Sequence, residues 1–186
     1  MIRRRDMLVQ ASAGALGIAA AATLGGTARA QAKPVTIAYP ADVPSWDPHQ
    51  AGLAIAASIF KCVFEMPYNV APELGFGPSV VASHRWLGED GRTLELTLRE
   101  GITFHNGDPL TSDDIKFSFD ERPKADNKLM IAGVWGRTVA AIETPSPTKA
   151  IFKFNFPFVT APQLLADIPA YILPRKYFEK VWREGF

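Results

Sequence analysis

The sequence predicts a mixed α/β (α+β) domain, because short β-rich runs alternate along the chain with segments of helical spacing. Hydrophobic residues make up 47% of the 186 residues and the formal charge is +1, as is typical of a folded globular chain. A near-neutral chain lacks the basic face of a nucleic-acid-binding protein, so no nucleic-acid partner is expected. The one cysteine, Cys62, excludes an internal disulfide, and its apolar helical setting predicts that it is buried.

The first thirty residues have the order of segments found in an export signal. Three arginines at residues 3–5 precede a weakly apolar stretch over residues 7–24, and Ala28-Arg29-Ala30 is a small-x-small cleavage signal. The second and third arginines resemble the pair of a twin-arginine signal, while ordinary secretion stays open as the route. The alternative, a membrane anchor, needs about 20 strongly apolar residues. We expect cleavage near Ala30 and a periplasmic mature chain that begins at Gln31.

Strand and helix patterns follow one another along the rest of the chain. The β-rich run 35–39 predicts a strand, and the apolar stripe over residues 50–65 predicts a helix that Pro67 ends. Residues 69–79, rich in proline and glycine, are predicted to be irregular. Later patterns predict a hairpin that turns at residues 89–91, strands at residues 138–142 and 150–156, a helical turn at residues 163–167 and a final helix at residues 174–182.

A helix start is encoded just before an apolar run at residues 115–119. Thr111 is a good N-cap residue, and Asp114 stands three positions later, which is the spacing of a capping box. Asp113 and Asp114 also lie where the helix dipole favours negative charge. The helix is predicted to be short and to end near Pro123. Capping explains the paired carboxylates without an acid–base role.

The most specific stretch of the sequence is residues 98–119, Leu-Arg-Glu-Gly-Ile-Thr-Phe-His-Asn-Gly-Asp-Pro-Leu-Thr-Ser-Asp-Asp-Ile-Lys-Phe-Ser-Phe. It closely resembles the signature of the family 5 extracellular solute-binding proteins, the peptide, dipeptide and nickel receptors of ABC importers. Residues 45–49, Ser-Trp-Asp-Pro-His, and residues 172–176, Ile-Leu-Pro-Arg-Lys, resemble two further landmarks of that family. The signature consists mostly of turn glycines, a cap and core aromatic residues, so it identifies the fold and not the ligand contacts.

The resemblance implies a bilobal fold of the type II periplasmic-binding-protein kind, in which two lobes close around a cleft. Residues 31–68 would begin the main sheet of the first lobe, residues 69–165 would form its smaller subdomain, and residues 166–186 would return toward the main sheet. Because family members are much longer, we expect this chain to be a truncated form that covers part of the first lobe. Such a form would bind its ligand weakly or not at all.

The resemblance also implies a function in uptake. The intact receptor would be a monomer without a cofactor, would capture a peptide or a similar small solute, and would pass it to an ABC permease of the inner membrane. It would be a binding protein and not an enzyme.

Five residues are candidates for contact with a ligand. Aromatic side chains in loops pack well on ligands, which selects Trp46, Tyr68 and Trp135. Arg137 is a candidate partner for a ligand carboxylate, and Asp47 is a candidate for the lining of the cleft. Each has a structural alternative: ordinary packing for the aromatic residues, a turn before proline for the aspartate, and a solvated guanidinium for the arginine.

Two other classes of function stay open at this point. A receptor for nickel or a chelated metal is an alternative within the same family, although His49, His84 and His105 have no ligand spacing. A periplasmic hydrolase would need a nucleophile elbow or a zinc-binding helix, and the sequence has neither Gly-x-Ser-x-Gly nor His-Glu-x-x-His.

Overall fold

The computed structural model describes residues 36–39, 42–43, 45–50, 54–71, 75–167 and 169–184. The chain divides into two compact units, residues 1–38 and residues 39–186, and every element below belongs to the second unit. Residues 36–39 have no regular secondary structure, so the strand predicted at residues 35–39 is wrong over its described part. The predicted export signal lies outside the described residues.

Short helices and strands alternate along the second unit. The helices are α1 (Ala54–Phe60), α2 (Ser112–Lys116), α3 (Arg122–Ala125), α4 (Trp135–Thr138), α5 (Ala161–Leu164) and α6 (Arg175–Glu184), with a π-helical turn (Phe117–Glu121) and a 3-10 helix (Met130–Gly133). The strands are β1 (Tyr68–Val70), β2 (Phe76–Pro78), β3 (Val81–Trp86), β4 (Thr93–Leu98), β5 (Val139–Ser146) and β6 (Lys149–Phe154). The element pattern confirms the mixed α/β class.

Four of the strands form one antiparallel sheet in the order β3-β4-β6-β5. The predicted hairpin is present, since β3 turns into β4, and the two strands predicted at residues 138–142 and 150–156 pair with each other as β5 and β6. Gly88 and Gly91 lie at the first turn with φ of 82° and 63°, a region that glycine enters without steric cost. The glycines at this turn favour the antiparallel pairing of β3 with β4, and this pairing could therefore be predicted from the sequence.

The core lies between one face of this sheet and the helices. Leu94 and Leu96 of β4 are opposite Phe152 and Ala150 of β6, and all four side chains are fully buried. Trp135 packs over this layer, with its ring centroid 6.1 Å from that of Phe152. The two-residue period of β4 places these side chains on the same face, as predicted.

The other face of β4 includes a carboxylate that is largely covered by its neighbours. Glu95 is only 7% exposed, because Arg85 on β3 and Lys149 next to it on β6 cover its carboxylate. The Arg85 Nε–Glu95 Oε1 distance is 2.7 Å and the Lys149 Nζ–Glu95 Oε1 distance is 3.5 Å. A central strand has neighbours on both sides, so long cationic side chains can bury a carboxylate that a period-two pattern places outside.

Two local predictions before β3 are wrong. Residues 69–79 are not irregular throughout, since β1 and β2 pair as a two-stranded antiparallel ribbon. The helix predicted over residues 50–65 ends earlier, at Phe60, the last residue of α1, and the chain turns at residues 61–63. Cys62 is therefore exposed and not buried, and its thiol lies 3.4 Å from the Ser58 carbonyl oxygen.

The helix that begins at Ser112 continues beyond Pro123, where the sequence predicted its end. The π-helical turn makes this possible: the Arg122 N–H donates to the Phe117 carbonyl, five residues back, and α3 then starts with proline in its first turn. Proline is tolerated there because it has no N–H to place and its φ is already helical. The three pieces act as one helix over residues 112–125.

Polar side chains of this helix cap its own start and hold two other segments, residues 173–175 and β5. The Asp114 carboxylate accepts hydrogen bonds from the backbone N–H of Thr111 (2.8 Å) and of Arg175 (2.9 Å), the first as part of the predicted capping box. Ser118 Oγ accepts a hydrogen bond from the Leu173 N–H at 2.9 Å. The buried Asp120 accepts one from the Ile142 N–H at 3.0 Å. The signature residues Asp114 and Ser118 thus stabilise the fold by accepting hydrogen bonds from the backbone.

Replacement of Ser118 by alanine removes the acceptor for a buried backbone N–H, that of Leu173. An unsatisfied buried donor costs about 1–3 kcal/mol. We expect Ser118→Ala to lower the free energy of unfolding in urea by that amount. The matched control is Ser83→Ala on the exposed outer face of β3, which we expect to change stability by less than about 0.5 kcal/mol. Equal effects of the two substitutions would contradict this role for Ser118.

Candidate functional site

The second unit contains a cavity of about 830 Å³, which we call the apolar groove. Four segments surround it: the loop 45–50, the segment 63–65 after α1, the turn region 102–110 and the stretch 172–181. Large apolar side chains dominate its wall, as is usual for small-molecule sites. Its lining includes Trp46, Val63, Phe64, Ile102, Phe104, Leu110, Ile172, Leu173, Tyr177, Phe178 and Val181.

A tight turn shapes the loop on one side of the groove. The Asp47 carboxylate accepts a hydrogen bond from the His49 N–H at 3.0 Å, and the Ser45 hydroxyl accepts one from the Asp47 N–H at 3.2 Å. Aspartate commonly closes such turns by bonding to the backbone two residues on. The turn leaves the Trp46 side chain 66% exposed, with its ring centroid 6.2 Å from that of Phe60.

Arg122 anchors this loop to the helix behind it. Its Nη2 forms an ion pair with Asp47 Oδ2, and its guanidinium carbon lies 4.4 Å from the ring centroid of Phe178. Arg122 is only 6% exposed, so this cation is shielded from the groove. Breaking a buried pair leaves an uncompensated charge, which costs far more than the pair itself contributes. The loop and α6 are thereby tied to one residue of α3.

His49 fills the space between the same elements. Its ring is fully buried, its Nε2–H donates to the Tyr171 carbonyl at 2.8 Å, and its own carbonyl accepts from the Ile131 N–H at 3.3 Å. Burial, and then the nearby charge of Arg122, lower the pKa of His49 from 6.5 to about 3. A neutral imidazole at neutral pH follows, because desolvation disfavours its charged form.

The opposite walls are a hairpin-like turn and a helix face. The Phe104 N–H donates to the Asp108 carbonyl and the Leu110 N–H donates to the Ile102 carbonyl, both at 2.9 Å. Gly107 has φ of 86° at the tip of this turn. On α6, Tyr177 and Val181 are four residues apart, so both side chains face the groove.

The charged groups at the groove are unevenly distributed. Two carboxylates, those of Asp47 and Glu65, line it, and the described part of the lining includes no lysine or arginine. Glu65 is exposed, and one of its carboxylate oxygens accepts a hydrogen bond from the Ser79 hydroxyl at 2.5 Å. The wall is therefore apolar with a small excess of negative charge.

The structure brings together two of the five predicted ligand-contact residues. Trp46 and Asp47 both line the groove, and Asp47 also closes the turn, which was its structural alternative. Tyr68 and Trp135 are buried, at 6% and 2% exposure, and Arg137 is exposed on α4 away from the groove. The Tyr68 hydroxyl lies 2.8 Å from His84 Nδ1. Contact of any of the five with a ligand stays a prediction.

Sequence reasoning did not select most of the groove wall. Phe104 was interpreted as a core residue and Asn106 as part of a turn, yet both line the groove. The useful signal was in α6, where apolar residues recur at helical spacing in the last element of the chain. Such a stripe indicates a contact face but does not say what covers it.

The described part of the chain has neither a membrane-spanning helix nor a cluster of metal-binding side chains. No helix there is long and apolar enough to cross a membrane. Nor do three or more histidine, cysteine, aspartate or glutamate side chains come together there in a way that would hold a metal ion. The apolar groove has the concave, mostly apolar lining of a small-molecule site.

The chain belongs to the bacterial extracellular solute-binding proteins, family 5, whose middle-region profile matches residues 75–185. It is 26% identical over 173 residues to the glutathione-binding protein GsiB of Escherichia coli strain K12, which covers 92% of this chain and 33% of GsiB. The Salmonella typhi GsiB is 22% identical over 156 residues, which are 83% of this chain and 30% of that protein. The chain spans about a third of the length of these curated relatives.

Solved structures agree with this assignment at the level of the fold. The substrate-binding domain of an oligopeptide ABC transporter from Bacillus anthracis superposes with a TM-score of 0.67 at 17% identity, over 74% of this chain and 29% of that chain. The oligopeptide-binding protein AppA from Bacillus subtilis, solved with a nonapeptide, gives 0.64 at 18% identity, over 72% and 26%. The predicted fold, part of a type II periplasmic-binding-protein fold, is confirmed.

The depressed pKa of His49 makes stability depend on pH. The unfolded chain takes up a proton near pH 6.5, whereas folded His49 does so only near pH 3. The free energy of unfolding should therefore fall as the pH decreases below 6.5, by at most about 1.4 kcal/mol per pH unit from this group. Urea unfolding between pH 7.5 and about 5 measures this dependence.

The matched variants are His49→Gln and His105→Gln. We expect His49→Gln to lose most of this pH dependence, while His105→Gln, on the exposed turn at residues 102–110, keeps it. A pH dependence that persists unchanged in His49→Gln would show that another group is responsible.

Proposed function

We propose that this chain is part of the substrate-binding component of an ABC-type importer and that the apolar groove contacts the captured solute. The observation that carries the proposal is the combination of the family 5 match over residues 75–185 with a large apolar cavity in the same unit. Binding proteins of this kind capture a ligand and do not transform it, so no catalytic residues are assigned.

Peptides and similar small solutes are the proposed ligands. GsiB is a glutathione-binding protein, and AppA was solved with a nonapeptide. Trp46 offers an exposed indole at the mouth of the groove, and an aromatic face of this kind packs well on apolar parts of a solute. Asp47 is proposed to act mainly by holding the loop that presents this ring.

The assignment of lobes and location follows from the same proposal. Residues 31–68 would begin the main sheet of the first lobe, residues 69–165 would form its smaller subdomain, and residues 166–186 would return toward the main sheet. The protein would be exported to the periplasm, act as a monomer and deliver its solute to an inner-membrane permease. The name of the family, extracellular solute-binding proteins, supports the location.

Solute capture can be tested by saturation-transfer NMR, which detects weak complexes, with a panel of unlabelled tripeptides. We expect transfer from this chain to at least one peptide, and several-fold weaker binding by Trp46→Ala, because an aromatic contact is worth about 1 kcal/mol. Phe156→Ala is the matched control, since Phe156 is 46% exposed and does not line the groove. Absence of transfer to every solute, or equal loss in both variants, would contradict the proposal.

Export can be tested with the arginine residues at the start of the chain. Replacement of both Arg4 and Arg5 by lysine preserves the charge but removes the pair that resembles a twin-arginine signal. We expect most of the periplasmic protein to be lost in cell fractionation, whereas Arg3→Lys leaves it unchanged. Export that survives the double substitution would assign the chain to the general secretory route.

A further inference from the structure

The charge around the apolar groove limits what it can hold. Asp47 and Glu65 are the charged residues of the described lining, and both carry carboxylates. The guanidinium of Arg122 offsets Asp47 from behind, but Arg122 is buried and already engaged by Asp47 and Phe178. A ligand carboxylate that enters the groove would therefore lose its contacts with water and would find no cationic partner on the described wall.

We infer that the groove selects solutes with large apolar groups and a free ammonium, and that it discriminates against polyanionic solutes. This inference rests on the proposed function and names the ligand class of the same site. The apolar wall accepts aliphatic or aromatic side chains, whose removal from water drives binding. The ammonium would lie toward Glu65, the exposed carboxylate at the edge of the groove.

Glu65 is suited to this role by its position and its partner. It follows Phe64, which packs with Phe60 and Tyr171 in a small aromatic cluster, and its own carbonyl accepts a hydrogen bond from the Ile172 N–H at 2.9 Å. The backbone at Glu65 is thus held on both sides. The Ser79 hydroxyl then orients the carboxylate through one of its oxygens, at 2.5 Å.

The inferred ligand class of this chain differs from glutathione, the ligand for which GsiB is named. Glutathione has two carboxylates and one ammonium, so it is anionic at neutral pH, and it has no large apolar side chain. The described wall can contact the ammonium of glutathione at Glu65, but it has no cationic partner for the two carboxylates, and glutathione has no large side chain to cover the apolar surface. A short hydrophobic peptide has the same ammonium, one carboxylate fewer and large apolar side chains.

The test compares four solutes against the same chain by saturation-transfer NMR with competition. The solutes are the tripeptide Leu-Phe-Leu, its N-acetylated form, the acidic tripeptide Glu-Gly-Glu and glutathione. We expect Leu-Phe-Leu to bind at least tenfold more tightly than Glu-Gly-Glu or glutathione. Acetylation removes the ammonium of Leu-Phe-Leu, and we expect it to weaken binding of that peptide several-fold. Glu65→Gln should abolish the effect of acetylation, whereas Glu89→Gln, at the exposed turn between β3 and β4, should preserve it.

Several results would overturn the inference, and they can be told apart. Tight binding of glutathione or Glu-Gly-Glu that Trp46→Ala weakens would disprove the selectivity and leave the proposed function standing. An acetylation effect that persists in Glu65→Gln would place the ammonium elsewhere. Absence of binding by all four solutes and by the wider panel would remove the proposed function as well.

The groove could also be covered by polypeptide, which a separate measurement resolves. Sedimentation velocity over a range of concentrations should show a monomer, and Trp46→Asp should not change the result. Concentration-dependent association that Trp46→Asp abolishes would identify a second copy of the chain as the occupant. The same question can be asked of any longer polypeptide that includes these residues. If its Trp46 fluorescence is protected from acrylamide quenching in the absence of solute, another segment of that polypeptide covers the groove. Either result would overturn the inference.

Discussion

The described structure depends on one helix whose buried polar side chains satisfy the backbone of other segments. Asp114, Ser118 and Asp120 accept hydrogen bonds from the N–H groups of Arg175, Leu173 and Ile142. Buried backbone donors must be paired, and here the partners come from a helix and not from a strand. Because these donors belong to the last segment of the chain and to an edge strand of the sheet, one element fixes both relative to the core.

The same helix also carries the residue that anchors the loop at residues 45–50. Arg122 holds Asp47 by an ion pair and stacks on Phe178, so the loop at 45–50 and α6 meet at a single guanidinium. This arrangement directs the Arg122 guanidinium to Asp47 and Phe178, while the described wall of the groove includes Asp47 and Glu65 and no lysine or arginine. The inferred preference for a cationic, apolar solute depends on this feature of the fold.

Local chemistry explains which parts of the fold could be predicted. Leu94, Leu96 and the turn at residues 89–91 encode a hairpin, and Thr111 with Asp114 encodes a helix start, because these signals act within a few residues. The helix passes Pro123, where the sequence predicted its end, because a π-helical turn accommodates the proline. Glu95 is buried for a long-range reason, because cationic side chains on the two neighbouring strands cover it.

The sequence by itself determined the class of fold, the family and the structural nature of the signature, since these depend on turn glycines, caps and period-two patterns. Only the tertiary structure decided which side chains form the groove. Trp46, Glu65, Phe104 and Tyr177 are far apart in the chain and line one cavity. Trp135 looked as suitable for ligand contact as Trp46, yet it lies 2% exposed in the core. Exposure and proximity arise from packing, and no local pattern records how distant segments will pack.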